Sequence, residues 1–299
     1  MTLEAQSHVS LRPYNTLRAG GAAERLAIAR SVDELADWAA HAFRAQTPCT
    51  VLGWGSNVLP SDAGVPGLVI VNQARTIRIQ SDGAIEVDSG FAFQELFLKA
   101  AQAGLKGLEY AVGIPGAVGG GLVSNAGAYR SSISESLVAI EVVAYGERKW
   151  VEPSFLKLSY RDSVLRSENP PPICLLKLRL QLEKGDPKTI YDEARDYQRQ
   201  RIGKQPPQAS AGSFFKNVYD KALCERLETL RPDLREAGVA PAGHLIEAVG
   251  LKGFEHRGAA FGRKHANFIL NLRGASATSI RSLAQFAREK VRDRFGVEL

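Results

Sequence analysis

One stretch limits this chain more than any other. Gly113 to Tyr129, GIPGAVGGGLVSNAGAY, holds six glycines in its first fifteen residues and no charged residue. A disordered linker is polar and repetitive, whereas here Ile114, Val118, Leu122 and Val123 interleave with the glycines. Glycine permits positive φ and lets a backbone approach something else closely. Backbone N–H groups in such a loop can cradle an anion, above all a phosphate. The stretch reads either as a tight connection packed under other elements or as a loop against a ligand, and its glycine density favours the ligand. It matches neither GxxxxGK[ST] nor a clean GxGxxG, so the common nucleotide folds are not indicated.

At 299 residues the length suggests about two domains. An apolar content of 44% and a charged content of 23% suit a globular protein with ample core. The net charge of +6 suits an anionic ligand, but the basic residues are spread along the chain, and nucleic acid is not favoured. Cys49, Cys174 and Cys224 lie far apart with neither a CxxC pair nor zinc spacing. They read as buried free thiols in a reducing compartment, and no metal cluster is expected. The first residues lack the basic-then-apolar order of a signal peptide. No apolar run approaches the ~20 residues of a membrane span, so a soluble cytoplasmic protein is expected.

The first block runs from 1 to 72. Asn15 to Gly21 is polar and turn-forming, and Leu26-Ala27-Ile28 is a strand candidate. Ser31 and Glu34 form a capping box ahead of a helix over 32–45. Cys49 to Leu52 reads as a strand entering Gly53-Trp54-Gly55-Ser56-Asn57-Val58, and Leu68 to Val71 as a second buried strand, giving a βαββ-like unit. GWGSN is a hairpin-like turn or a second ligand loop. With Gly113 to Gly121 it would clasp one extended phosphate-bearing ligand. The second block, 73–198, looks α+β. Ile77/Ile79 and Ile85/Val87 alternate across Ser81-Asp82-Gly83 as a hairpin. Phe93 to Ala101 predicts an amphipathic helix ending at Gly104. Leu137 to Ala144 and Ile173 to Leu180 predict strands. Residues 187–203 predict a helix with little apolar face, leading to a Lys204-Gln205-Pro206-Pro207 linker. The third block, 199–299, holds a helix around His244 to Ala248, a turn over Gly250 to Gly253 and a strand over Asn267 to Leu272. A last helix from about Thr278 to Phe295 carries a core stripe of Ile280, Leu283, Ala284, Ala287 and Val291.

Nine motifs in order then resemble one family. They are NTLRAGG (Asn15 to Gly21), LGWGSNVL (Leu52 to Leu59), GLEYAVGIPGAVGG (Gly107 to Gly120), NAGAY (Asn125 to Tyr129), SYRDS (Ser159 to Ser163), KQP (Lys204 to Pro206), SAGSFFKN (Ser210 to Asn217), LIEAVGLKG (Leu245 to Gly253) and KHANFILN (Lys264 to Asn271). Together they resemble the UDP-N-acetylenolpyruvoylglucosamine reductases, over residues 15–299. The resemblance implies an α+β fold: a two-domain FAD-binding unit of the vanillyl-alcohol-oxidase type plus a C-terminal α+β substrate-binding domain. The short run between Arg161 and Lys204 looks like the subtype without the family's extra insertion.

The resemblance also implies a chemistry. NADPH is the co-substrate, non-covalent FAD the cofactor, and UDP-N-acetylglucosamine enolpyruvate the substrate, reduced to UDP-N-acetylmuramate for peptidoglycan and cell-wall synthesis. It implies Arg161 as the group that stabilises the enolate-type charge beside the substrate carboxylate, and Ser213 as the general acid. Tyr160, Lys204 and Asn217 match substrate-binding positions. Gly53, Trp54, Gly55, Ser56, Asn57, Val58, Gly113, Ile114, Pro115, Gly116, Gly119, Gly120, Asn125, Gly127 and Ala128 match cofactor-binding positions. His244, His256 and His265 read as structural or surface residues. A monomer is expected.

One departure stands out. The family carries a glutamate a few residues past the motif that here reads Phe295 to Leu299. Glu298 aligns before that position and does not take its role; the chain is truncated, or activity is impaired, or another carboxylate serves, and truncation is the expectation. The competing readings are another FAD oxidoreductase of the same fold, and a non-catalytic binder of flavin or UDP-sugar.

Overall fold

The computed structural model describes residues 4–299, which fall into two compact units. The first contains 22–55 and 64–201 with the N-terminal strand; the second contains 11–21, 56–63 and 202–299.

In the first unit a four-stranded sheet runs in the order Gln6–Ser10, Ala22–Ala29, Val65–Asn72, Cys49–Leu52. The last three strands are mutually parallel, and Gln6–Ser10 adds an antiparallel edge to the βαββ-like unit expected. Strand Val65–Asn72 is central, and its Leu-Val-Ile-Val run is buried throughout, as a parallel strand covered on both faces requires. Helix Val32–Arg44 links Ala22–Ala29 to Cys49–Leu52. The Ser31 hydroxyl accepts the Glu34 N–H at 3.1 Å, while the Glu34 carboxylate takes the Arg30 N–H at 2.7 Å, one residue upstream of the expected box partner. Leu35, Ala36, Trp38, Ala39 and Ala42 pack against Ala27, Ala29, Leu68 and Ile70 on one side and Val143, Cys174 and Leu176 on the other. Burial of a large side chain such as Leu35 stabilises by roughly 1.5–3 kcal/mol.

A second sheet of the same unit is antiparallel, ordered Glu147–Val151, Leu137–Ala144, Ile173–Gln181, Ala84–Asp88, Ile77–Ile79. Helix Phe93–Gln102 covers it and stops as predicted: Gly104 sits at φ 67°, with its N–H on the Ala101 carbonyl at 3.0 Å. Its core runs from Phe93, Leu96 and Phe97 to Leu122, Ile133 and Leu178. Of the thiols, Cys174 and Cys224 are buried; Cys49 is half-buried, and burial pushes it up to about 11.

In the second unit the strands Ser210–Ser213, Phe268–Asn271, Ala259–Phe261 and Glu255–His256 form one antiparallel sheet. Helix Ala277–Phe295 packs its predicted stripe against Leu17, Leu245, Phe261 and Ile269. The N-terminal segment 11–21 is therefore part of this core, and the Asn271 amide donates to the Leu17 carbonyl at 2.8 Å. Asp62 caps the long helix from outside: its carboxylate accepts the N–H groups of Ala277 and Thr278, each at 2.8 Å. Helix Pro187–Lys204 buries only Ile190 and Ala194, and the division between units falls in its last turn.

Among the described residues no helix is long and apolar enough to cross a membrane. Among them, too, no group of three or more His, Cys, Asp or Glu side chains is placed to hold a metal.

Candidate functional site

The glycine-rich stretch is only partly a loop. Gly113 and Gly116 take φ of 71° and 124°, which L side chains resist. The chain then zips onto the segment before helix Phe93–Gln102. Phe93 N–H bonds to the Gly116 carbonyl and Val118 N–H to the Phe91 carbonyl, both at 2.9 Å, and Gly119 N–H to the Ser89 carbonyl at 2.7 Å. Val118–Val123 continues as a short helix. The amides of Val118 and Gly119 are thus taken up by the fold, and the stretch changes there from loop to packed helix. Tertiary packing explains the change: a Cβ on Gly119 would lie 2.7 Å from Ser89 Cβ, and one on Gly121 3.4 Å from the Phe93 ring. A Cβ on Gly120 would meet nothing within 4 Å. Gly120 is therefore glycine without a packing reason, where bare backbone lets a ligand come close.

The two glycine-rich segments touch inside the first unit, because a Cβ on Gly53 would lie 2.9 Å from Ala117 Cβ. Gly55 has φ 63°, and the half-exposed Trp54 carries the Arg75 guanidinium 5.1 Å from its ring centre. Ser56, Asn57 and Val58 belong to the other unit. Open space at Gly120, two positive-φ glycines and no acidic residue across 113–129 fit the close approach of a phosphate-bearing cofactor.

Arg161 sits at the tip of a two-residue turn. Ser159 and Asp162 exchange backbone hydrogen bonds at 3.1 and 3.2 Å around Tyr160 and Arg161, and Arg161 has φ 53°. Turns with positive φ at this place normally carry glycine. An arginine there spends backbone energy to present its side chain. Both flanks of the turn are fastened to the end of the glycine-rich helix. The Asn125 amide donates to the Ser159 carbonyl at 3.0 Å, and the buried Ser163 hydroxyl donates to the Val123 carbonyl at 2.6 Å. The Arg161 guanidinium donates to the carbonyls of Asn125 and Gly127 and lies 5.4 Å from the Tyr160 ring centre. No carboxylate among the described residues pairs with it. Gly127 leads through Ala128 into a tight hairpin over Ser131–Ser132, where a Cβ on Gly127 would strike the Ser131 carbonyl.

In the second unit Ser213 ends strand Ser210–Ser213 just after Gly212, which at φ 77° sits at a break in register between Ser210↔Leu270 and Ser213↔Phe268. Such an irregularity re-aims the next side chain, and Ser213 is exposed. Asn267, almost fully buried, pins the two phenylalanines after Ser213. Its carbonyl accepts the Phe214 N–H at 2.8 Å, its side-chain oxygen the Phe215 N–H at 2.9 Å, and its amide donates to the Phe215 carbonyl at 3.0 Å. The His265 Nδ1 in turn accepts the Asn267 N–H at 3.2 Å. Burial, and then the charge of Lys204, lowers the His265 pKa, the direction that suits an Nδ1 accepting this bond. Asn217 accepts the Ala242 N–H at 3.3 Å at the start of helix Ala242–Ala248. A cavity of about 1010 Å³ opens beside Phe214 and Phe215, lined also by Phe254, Phe286, Arg281 and Arg288. Glu298 lies 3.5 and 3.7 Å from Arg292 and Arg288 on the surface.

Sequence reasoning missed Asn267, Ser163 and the side-chain role of Asn125. All three act by bonding backbone groups distant in sequence, a role that no local pattern announces.

Residues 23–151 match a family described as an FAD binding domain. Residues 205–299 match the family described as UDP-N-acetylenolpyruvoylglucosamine reductase, C-terminal domain. Curated proteins called UDP-N-acetylenolpyruvoylglucosamine reductase are similar over nearly the full length. That of Prochlorococcus marinus is 34% identical over 100% of this chain and 96% of its own, and that of a Synechococcus species 37% identical over 98% and 88%. The crystal structure of UDP-N-acetylenolpyruvylglucosamine reductase from Thermus caldophilus superposes with a TM-score of 0.77 at 32% identity. It covers 100% of this chain and 98% of its own.

Proposed function

The chain belongs to the UDP-N-acetylenolpyruvoylglucosamine reductase family, and from that premise we propose how its residues divide the work. The enzyme uses FAD and NADPH to reduce UDP-N-acetylglucosamine enolpyruvate to UDP-N-acetylmuramate for peptidoglycan synthesis. Gly53 to Val58, with Gly113 to Gly116, Gly120, Asn125, Gly127 and Ala128, hold FAD non-covalently, mainly through backbone, while Gly119, whose amide is bonded to Ser89, serves by packing the segment in place. When bound, the flavin supplies the hydride that reaches the methylene carbon of the substrate. Arg161 grips the substrate carboxylate and stabilises the enolate-type charge that grows beside it. Ser213 donates the proton to the adjacent carbon, completing the reduction of the double bond. Tyr160, Lys204 and Asn217 hold the remaining anionic and polar parts of the substrate. The protein works as a cytoplasmic monomer.

The observation that carries this reading is Arg161 itself. A permanently charged, bidentate donor is held in a left-handed turn, bonded to carbonyls and to no carboxylate among the described residues. The purified protein should be yellow, bleach with NADPH, and regain its colour when the enolpyruvyl substrate is added without oxygen. A bleached protein that stays bleached overturns the assignment. Ser213→Ala should leave bleaching unchanged and slow recovery roughly 10²- to 10⁴-fold; equal losses in both steps contradict the role of Ser213.

A further inference from the structure

Arg161 is not the one uncompensated guanidinium in the first unit. Arg201, in the last turn of helix Pro187–Lys204, donates from Nη2 to the Tyr110 carbonyl at 3.1 Å. Its guanidinium lies 5.5 Å from the ring centre of Tyr129, which stacks on Tyr197 at 3.8 Å and 7°. Its Cδ is 3.2 Å from where a Cβ on Gly113 would sit, so it rests directly on the glycine-rich stretch. Its Nε is buried with no hydrogen-bond partner, and so is the Tyr110 hydroxyl.

The surrounding carboxylates are engaged elsewhere. Glu109 takes the Gly107 N–H at 2.8 Å, Glu193 the Tyr197 hydroxyl at 2.6 Å, and Glu135 the Ser132 N–H at 2.9 Å. Burial lowers the Arg201 pKa, opposed by Tyr129, and the charge of Arg161 lowers it further; that same charge acts on the Tyr110 phenol. Two guanidinium groups packed along the same stretch, one with a buried unpaired Nε and neither with a carboxylate partner among the described residues, form a costly arrangement. An anion placed against both removes the cost.

We propose that Arg201 is a second cationic contact for the carboxylate of the enolpyruvyl substrate, shared with Arg161. This rests on the role given to Arg161 above. The negative charge delocalised over carboxylate and enolate then meets two fixed guanidinium groups, and the stacked pair Tyr129–Tyr197 holds the second one in register.

The test uses the flavin-loaded enzyme and two probes, the enolpyruvyl substrate and its neutral methyl ester at the carboxylate, with affinities read from the flavin absorbance change. Wild type should prefer the acid over the ester. In Arg201→Met this preference should fall roughly 10- to 100-fold, the worth of a hydrogen bond to a charged group, while ester affinity and flavin affinity stay as in wild type. An acid-to-ester ratio equal to wild type overturns the proposal, whatever happens to turnover. A loss confined to flavin affinity overturns it too, since the anion is then the cofactor's. Should Arg201→Met fail to fold, Arg201→Lys decides: it keeps the charge without the planar fork, and at least a severalfold fall in the ratio is expected, an unchanged ratio being fatal. If wild type binds neither probe, the assignment of the substrate itself has failed, and this inference falls with it.

Discussion

Asn125 and Arg161 hold each other. The Arg161 guanidinium donates to the Asn125 carbonyl at 3.3 Å, and the Asn125 amide donates to the carbonyl of Ser159, two residues upstream of Arg161, at 3.0 Å. Both residues have positive φ, 42° and 53°. The side chain that presents the charge and the backbone that orients it are therefore parts of one closed loop of bonds.

Asn125→Ala should break that loop. The Ser159 carbonyl keeps the Asp162 N–H but loses its second donor, and the Ser134 N–H loses its side-chain acceptor, at a cost of about 1–3 kcal/mol. The reoxidation of reduced flavin by substrate should slow far more than its reduction by NADPH, because the role proposed for Arg161 lies in the second step. Denaturant unfolding and stopped-flow traces of the two steps check both; equal slowing would show that Asn125 acts on the cofactor instead.

Gly119 and Gly120 are neighbours with opposite expectations. Gly119→Ala drives a methyl to 2.7 Å from Ser89 Cβ and 3.0 Å from its carbonyl oxygen, and should cost about 1–3 kcal/mol of stability. Gly120→Ala meets nothing within 4 Å, and in a helix should stabilise the flavin-free protein by about 0.5–1 kcal/mol. The same methyl should weaken flavin binding. Melting of the apoprotein and flavin titration give the four numbers needed; a Gly120→Ala protein with undiminished flavin affinity would remove Gly120 from the cofactor site.

Asn267 should behave as a positioning residue. Asn267→Ala leaves both the N–H and the carbonyl of Phe215 without side-chain partners, for a loss of about 2–3 kcal/mol. The turn after Ser213 loosens, so proton delivery should suffer while NADPH-dependent bleaching persists. The two half-reactions, measured with thermal unfolding on the same preparation, separate this from general damage.

Asp62 links helix stability to pH. Hydrogen bonds from Thr278, and with them the Ala277 N–H, hold its carboxyl below the usual range. The folded state therefore favours the ionised form. Its contribution is complete above the unfolded carboxyl value, about 3.9, and is lost as pH falls through that value toward the folded one. Asp62→Ala should cost about 1 kcal/mol at neutral pH, as loss of a helix cap does. The difference from wild type should shrink as unfolding is followed from pH 6 to pH 3. A gap that is constant with pH would mean that the carboxylate charge is not what caps the helix.

Much of this architecture is legible in the chain itself. The Ser31 cap, the stop at Gly104, the Ser81–Gly83 turn and the stripe from Ile280 to Val291 are local signals, and local signals survive folding. The helix at Val118–Val123 was hidden because glycine-rich sequence disfavours helix, and only the close approach of Ser89 explains it. Arg201 was hidden differently. It lies in a helix crowded with charge, where Arg195 and Arg199 pair with Asp192 and Asp196 on the surface. Nothing in the run distinguishes Arg201 until the fold turns it toward Tyr110. Ser213 and Arg161 entered through motif resemblance, and their irregular backbones explain why periodicity alone passed over them.

The placement of Leu17 has a consequence for synthesis. Leu17 leaves the ribosome among the first residues, yet it is wholly buried against partners as late as Val291. At about 5–20 residues per second, the segment 11–21 waits on the order of 15–60 s for the surface that covers it. Folding of the second unit is therefore a closing event. The first unit, whose last residue is Arg201, has its whole sequence synthesised well before translation ends, while Leu17 stays uncovered until the final helix arrives.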